Sequence, residues 1–380
     1  MSNLGFSIFL VPILSGVILV VIPILLGITY YALKTRKQGF LVLKTKKVIR
    51  HSTIQHIDDN IVAFHPSGPD KYLANLPTVG LFGNSGNLIM AGPSLKENDL
   101  VTRHIVSKNG MLEIGDKVNV DLFVYQSNPK EGLDIDYSEV EFTSELGNLC
   151  AWYIPAESTN WIIGIHGHRS SRRESLRYTR TLKNLNLNQL YITYRNDKDI
   201  NNQAKSYHMF GLTEWKDLEG AVNYVKGNSP LNIFFLGHSM GGAIAFNFLL
   251  KSKISDQIAG VILESPVLDL NKIISHQAET LPFPAKIFLN PVKFLVSKFV
   301  GINWSDLDYL SKSHEIRTPI LLIHSENDET VPVSTGDHLA NNIPGLVDYL
   351  RLKGAPHAGA WNYAQDKVEH SVTKFLNKLT

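Results

Sequence analysis

The stretch FFLGHSMGGAIAF, residues 234–246, sets three glycines and a serine between two apolar runs. A buried strand passing into a buried helix could turn on almost any polar residues, so Gly237, Ser239, Gly241 and Gly242 together imply an unusual backbone. IFFL (233–236) supplies the strand and GAIAFNFLL (242–250) the helix, which makes GHSMG a G-x-S-x-G turn in the context that motif requires. Gly237 and Gly241 lack the β-carbons that would collide in so sharp a reversal, and Gly242 permits close helix packing. Ser239 is then expected in a strained conformation with its hydroxyl clear of the sheet. The first amides of the helix point toward that hydroxyl, and the Met240 N–H is the expected donor to a developing oxyanion.

Outward from this turn the same texture repeats. WIIGI (161–165), QLYIT (189–193), GVILE (260–264), PILLI (319–323) and VDYLRL (347–352) are short continuous apolar runs, as in parallel strands covered on both faces. Between them lie helix-length segments such as TEWKDLEGAVNYV (213–225), with Trp215, Leu218, Val222 and Val225 at helical spacing. The fold class is therefore α/β, with an open, doubly wound, mostly parallel sheet over residues 137–380. Chemistry in such sheets sits in the loops after the strands.

A serine hydroxyl needs a base to take its proton and an acid to orient that base. Asp328, in LLIHSENDETVP, and His357, in RLKGAPHAGAW, each follow an apolar strand, and Pro356 fixes His357 in a loop. Glu264, at the end of GVILE, is the competing acid. A second oxyanion donor is expected from HGHRSSR (166–172), where Gly167 lets the backbone pass close to the serine and His168 offers its amide. No carboxylate cluster accompanies His166 and His168, so their side chains point to positioning or solvent contact and no metal site is expected. TYRND (193–197) either lines the pocket or holds loops by ion pairs.

Net charge is +2, with 37 basic and 35 acidic residues, which gives no electrostatic case for nucleic acid. The single cysteine, Cys150, excludes an intramolecular disulfide and a cysteine-rich metal site. Residues 2–33 carry no charged side chain and then Lys34, Arg36, Lys37, Lys44, Lys46, Lys47 and Arg50 follow. Residues 1–34 are expected to form a transmembrane anchor, with Pro12 and Pro23 tolerated in lipid and Tyr30 and Tyr31 at an interface. A cleaved signal peptide is the alternative, but it lacks a basic leading region and a small-residue cleavage site. The one-sided basic flank predicts a single-pass protein with the larger domain in the cytoplasm. Residues 35–136 read as this flank and a small β-rich module, with turn signals at HPSGPD (65–70), GNSGN (83–87), AGPS (91–94) and SNPKEG (127–132). In KVNVDLFVY (117–125), Val118, Val120 and Leu122 share one face, and GNSG (83–86) reads as a hairpin turn.

With GHSMGG, HG at 166–167, NDETVP and GAPH in these places, residues 137–380 resemble the α/β-hydrolase superfamily. ITYRND, TEWKDLEGAV and LESPVLD further resemble bacterial membrane-anchored members with an amino-terminal extension. The superfamily implies acyl transfer to water through an acyl-enzyme and does not fix the substrate. The expected activity is a membrane-anchored serine hydrolase, with Ser239 as nucleophile, His357 as base and Asp328 as its orienting acid, acting on a carboxylic ester or acyl lipid without metal or organic cofactor. A peptidase or amidase of the same fold and a noncatalytic membrane scaffold are the alternatives. Protein partners are not indicated. About fifty residues separate GVILESP from TPILLI, more than a crossover helix needs, so residues 268–316 are expected to form a cap over Ser239. Within the cap Val292, Leu295, Val296 and Phe299 form one apolar stripe, with Lys293 and Lys298 off it.

Overall fold

The computed structural model describes residues 21–42, 50–197, 207–279 and 285–380. Alternating apolar residues build a first β structure from β1 (Ser52–Ile57), β2 (Ile61–His65), β3 (Val79–Phe82), β4 (Gly86–Glu97), β5 (Leu100–Gly110) and β6 (Lys117–Asp121). These close into an antiparallel barrel in the order β1-β2-β5-β4-β3-β6, with Ile54, Phe64, Leu81, Met90, Val101 and Val118 inside. The GNSG segment is the expected hairpin turn: the Gly83 amide donates to the Gly86 carbonyl at 2.9 Å, joining β3 to β4. Strand β6 stops short of the expected alternating run. Asp121 accepts from the Phe123 amide at 2.7 Å and Val124 takes φ +64°, a local turn that competes with further strand. Buried Arg103 closes one end of the barrel, donating to the carbonyls of Ala74, Pro77 and Gly92 at 2.6, 2.8 and 3.0 Å beside the single-turn helix α2 (Asp70–Leu73).

A short helix, α3 (Pro129–Leu133), leads to an eight-stranded sheet made of β7 (Ser138–Ser144), β8 (Gly147–Ile154), β9 (Asn160–Ile165), β10 (Asn188–Ile192), β11 (Asn232–His238), β12 (Ile258–Glu264), β13 (Ile320–Ser325) and β14 (Val347–Leu352). Its order is β14-β13-β12-β11-β9-β10-β8-β7. The six strands from β9 to β14 run parallel and β8 and β7 add an antiparallel edge. Period two divides each central strand between two cores. Ile162, Phe234 and Ile262 meet α4 (Leu176–Asn184) and α10 (Ala360–Asn377), whereas Ile163, Phe235 and Val261 meet α5 (Trp215–Lys226) and α6 (Met240–Lys251). Burial on both faces explains why these strands read as continuous apolar runs.

Helices α7 (Leu270–Glu279) and α8 (Leu289–Val300) lie between β12 and β13, and α9 (Ser334–Asn342) lies between β13 and β14. On α8 the buried stripe is Val292, Val296 and Val300, while Phe299 is 39% exposed. The four-spaced ridge faces the core, so the expected place of Phe299 is taken by Val300. The barrel meets the sheet domain at Asn362 on α10, whose side-chain amide donates to the carbonyls of Thr78 and Leu122 at 2.9 and 2.8 Å.

The amino-terminal region corrects the sequence reading. Residues 1–20, and the basic run at 43–49, lie outside the described residues. Among the described residues no helix is long and apolar enough to cross a membrane. This overturns the single-pass localisation and the cytoplasmic orientation that followed from it. The physical reason lies in the packing at the end of the segment. Ala32 and Phe40 are fully buried in the core of the sheet domain, and the Phe40 ring makes edge contacts with Phe210 at 5.5 Å and Trp304 at 6.0 Å. Within the run that reads as lipid-facing, Ala32 is protein-facing, whereas Val21, Ile22, Leu25, Leu26 and Tyr30 are exposed. Phe40→Ala should therefore destabilise the sheet domain by ~3–5 kcal/mol in urea denaturation. A loss under ~1 kcal/mol, as for an exposed residue, would contradict this packing.

Candidate active site

The site begins where β11 runs into α6. Ser239 sits at φ +52°, ψ −112°, a region that non-glycine residues avoid. The glycines around it answer to crowding. A Cβ on Gly237 would lie 2.8 Å from the Gly241 carbonyl oxygen and one on Gly242 would lie 2.7 Å from Pro266, while one on Gly241 would collide with the backbone carbonyl of Ile165. The turn is tied down on both sides, since the Ser239 amide donates to the Glu264 carbonyl at 2.9 Å and the Val267 amide donates to the Ser239 carbonyl at 3.1 Å.

His357 arrives from the loop between β14 and α10, and Asp328 from the loop after β13. The structure brings all three expected side chains together: His357 Nε2 lies 2.8 Å from Ser239 Oγ, and His357 Nδ1 lies 2.9 and 2.8 Å from the two Asp328 oxygens. Asp328 also accepts from the amides of Thr330 and Val331 at 2.9 and 2.8 Å. Burial works against its ionisation, but hydrogen bonds from His324 and His357 outweigh it and hold the carboxyl well below the usual carboxylate range. Burial likewise opposes protonation of His357, and the hydrogen bond and charge of Asp328 outweigh it, so its pKa is raised above 6.5. A hydroxyl hydrogen-bonded to an imidazole that is oriented by a carboxylate can be deprotonated as it attacks a carbonyl carbon.

The loop after β9 passes against the serine, and a Cβ on Gly167 would stand 3.1 Å from that of Ser239. The Gly167 amide is already committed, donating to the Glu174 carboxylate at 2.7 Å. Among the described residues, the backbone amides of Met240 and His168 have no protein acceptor. The histidine side chains here are structural. His166 Nε2 lies 2.9 Å from Asp197 and its ring stacks on Tyr194, whereas His168 packs against His208 and Phe210. Burial pushes His168 down to about 3 and His208 down to about 4, which keeps both neutral. Of the ion pairs expected in TYRND, Arg195 clasps Asp217 at 2.8 Å and Glu145 at 2.8 Å. Among the described residues no group of three histidine, cysteine or carboxylate side chains is placed to hold a metal ion.

Glu264, the competing acid, does not reach His357. Its carboxylate accepts from His238 Nδ1 at 2.8 Å, from the Tyr178 hydroxyl at 3.1 Å and from the Ala360 amide at 3.0 Å, and it pairs with the Arg177 guanidinium at 3.6 Å. Burial opposes its ionisation, yet the Arg177 charge and these hydrogen bonds outweigh that and hold its pKa down at about 2. Arg177 also donates to the Ala358 carbonyl at 2.7 Å, next to His357. Arg177, Tyr178 and Glu174 were not legible from sequence, because they stand on and before a crossover helix with no motif to mark them.

A cavity of about 280 Å³ opens at Ser239, walled by Phe210, Val267, Leu270 and Ile273. The amino-terminal segment adds Thr35, Gln38, Gly39 and Phe40 to the wall, beside His168, Ile274, Gln277 and Thr330. Sequence reasoning assigned that segment to an anchor and its flank and so missed it.

Comparison with known proteins agrees with this architecture. The esterase Pf2001 of Pyrococcus furiosus superposes with a TM-score of 0.55 at 24% identity, over 67% of this chain and 95% of that one. The fold is that of the α/β-hydrolases. A family described as serine aminopeptidase, S33, matches residues 205–302. The uncharacterized protein YqkD of Bacillus subtilis is 23% identical over 228 residues, covering 59% of this chain and 73% of that protein. The lysophosphatidylserine lipase ABHD12 of Rattus norvegicus is 24% identical over 209 residues, covering 50% of this chain. The match spans about half the length (47%) of that lipase.

The Glu264 cluster carries a stability prediction. Glu264→Gln leaves buried Arg177 without its counter-charge and should cost ~3–5 kcal/mol in urea denaturation at neutral pH. The folded-state pKa of about 2 lies below the ordinary 4.5, so the stabilisation is present above pH 4.5 and is lost as pH falls toward 2. Wild type and Glu264→Gln should accordingly converge in stability on acidification. A constant gap from neutral pH down to about pH 2 would contradict the pairing.

Proposed function

We propose that the protein is a serine hydrolase that cleaves carboxylic esters through an acyl-enzyme on Ser239. The observation that carries this reading is the continuous hydrogen-bonded chain from Asp328 through His357 to the Ser239 hydroxyl. Ser239 Oγ attacks the ester carbonyl while His357 Nε2 takes its proton, and Asp328 fixes the imidazole tautomer and stabilises the imidazolium. The negative charge on the former carbonyl oxygen is met by the amides of Met240 and His168. Collapse expels the alcohol with the proton from His357, leaving Ser239 acylated. Water then attacks the acyl carbon, His357 takes its proton, and the carboxylic acid leaves as the serine hydroxyl is restored.

Ester cleavage is favoured over the second reading, an aminopeptidase or amidase, by the character of the cavity. The family description points toward peptides. However, the lining of the cavity at Ser239 carries no carboxylate among the described residues, and the nearby Glu329 carboxylate, which accepts from the His357 amide at 3.4 Å, is not part of that lining. The esterase and lipase names among the relatives point the same way.

Ser239→Ala and His357→Ala should each lower kcat on a short-chain ester by a factor on the order of 10³–10⁶, and the double variant should be little worse than either. Nearly additive losses would show that the residues do not act as a unit. The pH profile follows from the raised pKa of His357. Its neutral form accepts the proton, so kcat/KM should fall on acidification with a midpoint above 6.5. Asp328→Asn should move that midpoint down as well as cutting the rate. An unshifted midpoint in Asp328→Asn would count against Asp328 as the orienting acid.

A further inference from the structure

The segment from helix α1, described over 21–35, into the π-helical turn Arg36–Phe40 is strapped over the mouth of the site. Arg169, the residue after His168, donates to the Lys37 carbonyl at 2.7 Å and to that of Leu41 at 3.3 Å. Arg36 Nε donates to the Tyr207 hydroxyl at 2.7 Å, and the His208 amide donates to the Phe40 carbonyl at 2.7 Å. Phe40 is wedged between Phe210 and Trp304, one ring from the loop before α5 and the other from the region after α8. The strap is thus fixed to the same loops that line Ser239, and it is continuous with them as a wall.

Two cavities meet beneath it. The first, of about 280 Å³, contains Ser239. The second, of about 290 Å³, lies between the strap and helices α7 and α8 and is lined by Tyr31, Ala278, Phe288, Val292, Val296 and Trp304. They share four wall residues: Thr35 and Gln38 from the strap and Ile274 and Gln277 from α7. These four residues stand between the cavity at the serine hydroxyl and the second cavity, with its mostly apolar walls. Against the apolar part of that wall each methylene of an acyl chain leaves water. An acyl chain carried on the attacked carbonyl and threaded past these residues would place its methylenes in the second cavity.

We propose that this strap, residues 31–40, completes the acyl-binding site and makes the protein selective for long-chain acyl esters, with Thr35 and Gln38 forming the threshold between the two chambers. The proposal rests on the hydrolase reading above and adds to it the substrate class and the part of the chain that sets it. The Lys34 and Lys293 side chains lie at the far chamber, where the Lys293 ammonium stands over the Trp304 ring at 5.2 Å.

The test compares kcat/KM for dodecanoyl and butanoyl esters of one alcohol in wild type, Thr35→Trp, Gln38→Trp and Ile274→Trp, alongside saturable binding of free dodecanoate to the same proteins. Ile274→Trp narrows the threshold from α7, and the two strap variants narrow it from the other side. Gln38 is exposed, so at least one strap variant leaves the fold undisturbed, as an unchanged melting temperature will report. The wild type should prefer the dodecanoyl ester, and both strap variants should lower the dodecanoyl-to-butanoyl ratio by about tenfold or more and weaken dodecanoate binding in parallel. A ratio and an affinity that move only in Ile274→Trp would overturn the role of the strap and leave a channel bounded by the cap alone. A wild type that cleaves butanoyl ester but neither prefers nor binds the longer chain would overturn the acyl channel while leaving the hydrolase reading intact. No cleavage of either ester would defeat the hydrolase reading. The dodecanoate binding arm then still decides the channel, which stands if the strap variants lose it and falls if they do not.

Discussion

The backbone of Ser239 is the constraint around which the rest of the site is arranged. At φ +52° it is held against its own preference, and it persists because the surroundings leave no alternative. The start of α6 is driven so close to the end of β9 that Gly241 has no room for a side chain beneath the Ile165 carbonyl, and Gly242 sits on Pro266. The strand before it is anchored to β12 through the Glu264 carbonyl. Four further non-glycine residues at the site also have positive φ, Arg169 at +57°, Phe210 at +51°, Ser265 at +48° and Ala358 at +50°, and the Ala358 amide meets the Ser265 hydroxyl at 3.3 Å. Positive-φ backbone thus recurs in the loops after β9, β11, β12 and β14, around Ser239 and His357.

Glu264 and Arg177 hold that convergence in register. The Glu264 carboxylate joins His238, one residue before the serine, to Ala360, three residues after the histidine. Arg177 joins the same carboxylate to Ala358 and to Asn362, and Asn362 in turn holds Thr78 and Leu122 of the barrel segment. A buried ion pair contributes little net stability when it only replaces apolar packing. Its value here is positional, since it ties the elbow, the histidine loop and the barrel through groups that cannot be satisfied by water.

Much of this was legible in the sequence, for identifiable reasons. Continuous apolar runs bounded by polar loops located the parallel strands, because burial on both faces leaves no alternation to read. The glycine spacing located the elbow, because close backbone contact excludes other residues. The choice between Asp328 and Glu264 was open, since both stand at strand ends, and only the three-dimensional partners separate them: Arg177 and His238 occupy Glu264, whereas Asp328 faces His357. The amino-terminal segment misled for a different reason. The anchor reading rested on the uncharged run of residues 2–33 as a whole, and hydropathy, which measures transfer out of water, does not distinguish lipid from protein as the partner of a residue such as buried Ala32. Phe40, Gly39 and Gln38, set among basic residues, carried no signal that they border the serine.

Whether Ser239 is the nucleophile can be decided by trapping it. Treatment with a fluorophosphonate, followed by mass spectrometry of peptides from the modified protein, should find a single covalent adduct on Ser239. The adduct should be absent in Ser239→Ala and form far more slowly in His357→Ala. Unimpaired labelling of the Ser239→Ala variant, or an adduct mapped to another residue, would contradict the central role assigned to this serine.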